Sequence, residues 1–309
     1  MTQAWQKKQL RLYLALAFGG AWTLQCAASW FAWQGSNVLF SRILAVSMFM
    51  PLAAVLLVRR GFDHMPTGVR WGVKLRGCWG WWLAALLGPA VFTLLGAALY
   101  YAVFPARLDL TGSYIQSVDP QSYEMMLDQG IHPLTVLVSN LVTCLTWAPF
   151  VNMLFAVGEE AGWRGYLYPA LQARLGSGVK ARVLGGVIWG AWHWPVMVLA
   201  GYEYGLHYWG APVLGMALFC LVCVCLGTLL DVLYEKTGSI WAAALAHGGF
   251  NAVASTPLLL LNMNDPGEPT LGPMPIGLVA LLPALAATVW VLARQAKREA
   301  APPAQCPAD

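Results

Sequence analysis

"LTVLVSNLVTCLTWAPFVNMLFA" runs from Leu134 to Ala156 without an ionised side chain, and "VGEEAGWRGY", Val157 to Tyr166, follows it directly. The first stretch is long enough to cross a bilayer core, which takes about 20 residues of helix. The second sets Glu159, Glu160 and Arg164 at its far end. An ionisable side chain at membrane depth costs roughly 2.5–3.5 kcal/mol on insertion scales. Three of them so close together must either hold helices to one another as ion pairs or form a site that uses their charge.

The rest of the chain has the same apolar character. Its 309 residues are 59% hydrophobic and 10% charged, whereas soluble domains carry about 25% charged residues. Apolar runs at about 10–32, 38–58, 79–103, 133–157, 183–201, 210–233, 238–261 and 276–294 predict an all-α, polytopic membrane helical bundle of about eight transmembrane helices. The fourth run reads as continuing helically past Glu159 toward Arg174. The expected organisation is one integral-membrane domain over 1–294, with 295–309 a disordered cytoplasmic tail. Lys7, Lys8 and Arg11 precede a first run too long for a signal-peptide core, so it reads as a retained helix. The 16 Trp suit a bilayer protein, because indole rings favour the headgroup boundary.

The net charge of +4 gives no reason to invoke nucleic acid; its distribution is the informative part. Basic residues at 7–11, 59–76, 174–182, 236 and 294–298 all fall on one side if every run crosses. Acidic Asp109, Asp119, Glu124, Asp128, Asp265 and Glu268 gather on the other. The positive-inside rule then places both termini in the cytoplasm of a cell-membrane protein. Cys220, Cys223 and Cys225 have no polar company and read as packing thiols. The terminal Cys306-Pro-Ala-Asp matches a lipidation box only superficially, given its Pro and Asp.

At membrane depth the strongly polar residues are Asn140, Asn152, Glu159, Glu160, Arg164, His193, His247 and Asn251. Glu160 and Arg164 are i, i+4 with the acid first, the better order for a helical ion pair. Glu159 lies about 140° around the helix from Arg164 and faces elsewhere. A carboxylate in low dielectric beside a like charge suits general acid–base work. In "VLGGVIWGAWHWPVMVLA" (183–200), His193 shares a face with Trp189, and Pro195 kinks the helix. In "IWAAALAHGGFNAVAS" (240–255), His247 and Asn251 are i, i+4, while Gly248 and Gly249 allow close helix approach. Each group has a plain structural reading, as an ion pair, a helix–helix hydrogen bond or packing polarity. Jointly they supply a base, an imidazole to share its proton, and a His/Asn pair to receive negative charge, an inventory that fits water attack on an amide.

Three motifs carry a resemblance. Glu159-Glu160-Ala-Gly-Trp-Arg164, Trp189-Gly-Ala-Trp-His193 and His247-Gly-Gly-Phe-Asn251, in order and each within a span, resemble the signatures of the CAAX-protease and bacteriocin-processing family of intramembrane glutamic endopeptidases. That family includes the Ras-converting CAAX proteases and the lysostaphin-resistance proteins. The likeness covers roughly 135–258 and departs from the usual pattern by having Trp189 where Phe is common. It implies that Glu159 and His193 activate a water, that His247 and Asn251 form an oxyanion hole, and that Glu160, Arg164 and Trp189 support the site. It also implies no cofactor, and a substrate that is a membrane-associated protein or peptide reached from the cytoplasmic side. Competing readings are a zinc site through Glu159, His193 and His247, a proton-coupled transporter, and a non-catalytic scaffold or immunity protein. Nucleic acid is not an expected partner, and oligomeric state is not legible.

Overall fold

The computed structural model describes residues 3–301. Among these residues every regular element is helical, and the only β pairing is an isolated antiparallel bridge between Leu108 and Leu261. The all-α reading therefore holds. Cys306 and the tail from 302 onward lie outside the described residues.

Helix α1 (Gln3–Trp33) runs the length of the bundle. The chain returns through α2 (Asn37–Ser47) and α3 (Met50–Leu56), which continues as a π-helical turn to Phe62. It crosses again in α4 (Trp79–Val103). Short helices α5 (Ser113–Val118) and α6 (Pro120–Asp128) fill the following loop. Then come α7 (Pro133–Leu145) and α8 (Ala148–Gly162), a π-helical stretch Trp163–Leu167, and α9 (Tyr168–Leu175). The remaining helices are α10 (Gly178–Trp192), α11 (Trp194–Ala200), α12 (Val213–Thr237), α13 (Ile240–Val253) and α14 (Leu278–Ala300).

Helices lie at all eight expected positions, but not all of them are spans by length and composition. Among the described residues five are long and apolar enough to cross a membrane: 37–62, 79–103, 178–200, 213–237 and 278–300. The α7–α9 run makes a sixth if its two halves are one span. Those halves are bent by 52° around Thr146–Trp147. Pro149 explains the break, because it has no N–H to give to the Leu145 carbonyl. Pro257 acts likewise beyond α13, where the chain tightens into a 3-10 turn over Thr256–Leu260. The 14 residues of α13 extend only about 21 Å, short of a hydrocarbon core of about 30 Å. At the C-terminal end, α14 continues as helix through Ala300, six residues past the expected boundary. Its Glu299 accepts hydrogen bonds from Ser177 Oγ (2.7 Å) and Gly178 N (2.8 Å), which ties that end to the start of α10.

The core centres on α13, whose residues from Ala242 to Gly249 are all buried. Small side chains there let α8, α4 and α12 close around it. Gly248 shows how tightly: a Cβ at this position would strike the Met153 amide nitrogen and the Pro149 carbonyl of α8. The outward faces are apolar as well. Leu83, Leu87, Val91, Leu94 and Leu95 of α4 are exposed, as a lipid-facing surface requires.

Gly248→Val should drive α13 off α8. The expected cost is about 1–3 kcal/mol or more, read as a lowered thermal midpoint in detergent. Native-like stability in this variant would contradict the close approach.

Candidate active site

Glu159 and Glu160 sit side by side near the end of α8, both almost wholly buried, and the fold gives them separate partners. Glu160 Oε1 accepts from Arg164 Nη1 at 2.9 Å, the i, i+4 pair expected from spacing. It also accepts from His247 Nδ1 at 2.8 Å, a contact across 87 positions of chain that spacing did not reveal. The Arg164 guanidinium lies over the rings of Tyr168 (4.8 Å) and Trp189 (4.6 Å), so aromatic faces take up charge that hydrogen bonds leave over.

Glu159 is held by two indoles. Its Oε2 accepts from Trp189 Nε1 at 2.6 Å and from Trp163 Nε1 at 3.2 Å. Oε1 is left without a protein donor among the described residues. Neither tryptophan was read as a carboxylate partner from sequence, although Trp163 stands one turn beyond Glu159 on the same face.

His193 occupies the junction of α10 and α11, where Pro195 interrupts the backbone ladder. The Trp192 carbonyl freed there accepts from Gln25 Nε2 (3.0 Å) and Trp22 Nε1 (3.2 Å), so α1 repairs the break. His193 Nδ1 lies 3.0 Å from the Trp189 carbonyl. A carbonyl only accepts, so Nδ1 carries the proton and Nε2 presents its lone pair. Tyr202 stacks parallel to the imidazole, with centroids 6.2 Å apart.

Glu159, His193, His247 and Asn251 all line one cavity of about 390 Å³. Trp189 touches three of them: it bonds to Glu159, meets His247 edge to face at 5.1 Å and tilts against His193 at 6.4 Å. Asn251 is exposed to the cavity one turn beyond His247. Asn152 lines it too but gives its amide to the Ala148 carbonyl, while Asn140 is tied to Thr256 and stands elsewhere. Glu203, unremarked in the sequence, adds a second carboxylate to the cavity wall, in a left-handed backbone conformation (φ 71°). Burial pushes its carboxyl up, against a hydrogen bond with Tyr202 that pulls it down.

The cavity extends toward the end of the bundle where α2 begins and Tyr202 lies. Ser177, Glu299 and the basic stretches mark the opposite end. No three His, Cys, Asp or Glu side chains among the described residues form a group able to hold a metal ion.

Carboxylates, two imidazoles and an amide thus surround one cavity within an apolar bundle, groups whose chemistry allows proton transfer. Residues 136–253, which contain all of them, match the family described as type II CAAX prenyl endopeptidase, Rce1-like. A segment of 56 residues is 45% identical to CAAX prenyl protease 2 of Methanococcus maripaludis; it covers 18% of this chain and 20% of that relative. Both matches are to CAAX prenyl endopeptidases, and each covers less than half of this chain.

Arg164→Ala should leave Glu160 buried without its cation, at a cost of about 3–5 kcal/mol. Trp189→Phe keeps the ring over Arg164 and removes one donor to Glu159, a smaller loss of about 1.5–3 kcal/mol. Thermal unfolding of both variants should rank them in that order.

Proposed function

We propose that the chain is an intramembrane endopeptidase that hydrolyses a peptide bond of a membrane-associated protein by metal-free, glutamate-type chemistry. The observation that carries this reading is the convergence of Glu159, His193, His247 and Asn251 on one cavity, with Glu159 Oε1 and His193 Nε2 free to receive protons. A water between those two atoms attacks the carbonyl carbon. As the C–O bond forms, its proton passes to Glu159, with His193 orienting the water. The carbonyl electrons move to oxygen, and His247 Nε2–H and the Asn251 amide receive that charge. Collapse re-forms the carbonyl, breaks the C–N bond and sends the proton to the leaving amine.

The Glu160 contact refines the role of His247. Its Nδ1–H is committed to Glu160, so a neutral ring would offer a bare Nε2, which accepts rather than donates. To donate to an oxyanion the ring must carry both protons, and Glu160 is the counter-charge for that form. In this reading the His/Asn donor pair read from spacing has a charged histidine as one member.

The matches and a neighbouring space support a substrate class. A second, almost wholly apolar cavity of about 210 Å³ shares Val222, Leu226 and Phe250 with the first. It supports a substrate carrying an apolar chain beside its scissile bond, as a prenylated C-terminal CAAX segment does. The curated relative bears the name CAAX prenyl protease 2.

One observation favours a second reading. A carboxylate on the Nδ1 of a histidine is the arrangement that orients metal-ligating imidazoles. Chelation separates the two: cleavage should survive a strong zinc chelator, and loss restored by added zinc would establish a metal enzyme.

Glu159→Gln keeps the shape of the side chain and removes its basicity. Turnover of a prenylated CAAX peptide in proteoliposomes should fall at least about 100-fold, with the thermal midpoint little changed. Unaltered cleavage would remove Glu159 from the chemistry. If neither the peptide nor the native membrane proteome gains new termini with the wild-type chain, the scaffold reading replaces the protease.

A further inference from the structure

At the end of the bundle away from the catalytic cavity lies a larger and more polar basin of about 620 Å³. Four cations from four separate parts of the chain line it: Lys7 at the start of α1, Arg59 in the π turn after α3, Arg70 in the loop before α4, and Arg174 in α9. No acidic residue is among its lining residues, and none of the four cations forms an ion pair among the described residues. Asp63 is the nearest acid along the chain to Arg59, and it makes no ion pair with it. Four like charges facing one space repel one another, and no ion pair among the described residues joins any of them, although Asp63 lies close enough to act on Tyr166 of the wall.

Two of the cations lie against aromatic faces, although Arg59 also gives one N–H to Met65 Sδ at 3.9 Å. The Arg59 guanidinium lies over the Tyr166 ring at 5.5 Å and that of Arg70 over the Tyr234 ring at 5.4 Å. Stacking on an aromatic face fixes a guanidinium without using its N–H edges, which remain suited to phosphate oxygens. The neighbourhood is also that of a bilayer boundary. Trp71, next to Arg70, pairs with Trp241 at 6.0 Å, and both Trp71 and Trp79 are exposed. Indoles exposed at a bundle end mark headgroup level. Inward, the basin is bounded by Gly165 and Tyr166, which directly follow Arg164 in the π-helical stretch.

We propose that this basin binds the phosphate of an anionic phospholipid headgroup. The assignment rests on unpaired charge, donor geometry and membrane level, and is independent of the protease reading. A phosphodiester at headgroup depth answers all three.

The purified full chain in phosphatidylcholine nanodiscs with a minor fraction of phosphatidylglycerol tests this, with retained lipid read by native mass spectrometry. Wild type should retain phosphatidylglycerol over phosphatidylcholine by on the order of tenfold. Arg59→Gln with Arg70→Gln should lose that preference, whereas Arg59→Lys with Arg70→Lys should keep most of it and shows that the chain tolerates change there. Lys74→Gln with Arg76→Gln removes two cations of the same loop that do not line the basin, and should leave the preference intact. Equal loss in the two glutamine pairs would overturn the proposal in favour of diffuse surface charge, as would an undiminished preference in the basin pair. Displacement of the retained lipid by equimolar inorganic phosphate would assign the basin to a soluble anion and overturn the lipid assignment.

Discussion

Burial of two adjacent carboxylates inside an apolar bundle is the constraint from which the rest of this structure follows. An unpaired buried charge costs several kcal/mol, and like charges side by side make it worse. The fold separates them by partner. Glu160 receives both Arg164 and His247, and so becomes an electrostatic clasp between α8 and α13. Glu159 receives only neutral N–H groups, from Trp163 and Trp189. Indole donors hold the Glu159 carboxylate in place without setting an opposite charge against it. Adjacent residues of one type thus take different work from their surroundings.

Trp189 makes that division possible. Its N–H reaches Glu159, its face carries Arg164 and its edge meets His247. One rigid side chain on α10 therefore meets Glu159, Arg164 and both imidazoles. Its backbone carbonyl, in turn, fixes the tautomer of His193. This bears on the Trp that stands where Phe is usual in the family motif. Phenylalanine could hold the spacing by its ring, but only an indole adds the bond to Glu159.

The local half of this site was legible in the sequence. The Glu160–Arg164 pair, the shared face of Trp189 and His193, the kink at Pro195 and the small residues of α13 all follow from helical period and proline chemistry. What escaped was long-range. Nothing in spacing connects His247 to Glu160, or Gln25 and Trp22 to the Trp192 carbonyl, because those pairs exist only after α1, α8, α10 and α13 have packed. Span ends were obscured for a related reason. Hydropathy marks where a helix is apolar, and it read through Pro149 and Pro257, where the geometry breaks. Glu203 went unnoticed because it falls in a polar-looking loop after α11, and only the fold turns it inward.

The π-helical stretch over Trp163–Leu167 joins the two ends of the molecule. A π turn inserts one residue into the helical register, so the side chains on either side of it no longer keep α-helical spacing. Here it begins at Trp163, directly after the carboxylates. Trp163 and Arg164 turn inward to Glu159 and Glu160, while Gly165 and Tyr166 turn to the basic basin. Four consecutive residues at about 100° each cover the circumference of a helix, so one short segment can serve both the buried charge network and the basin. It also means that whatever steadies Tyr166 from outside bears on Arg164 within a few ångströms of the carboxylate pair, through backbone rather than through space.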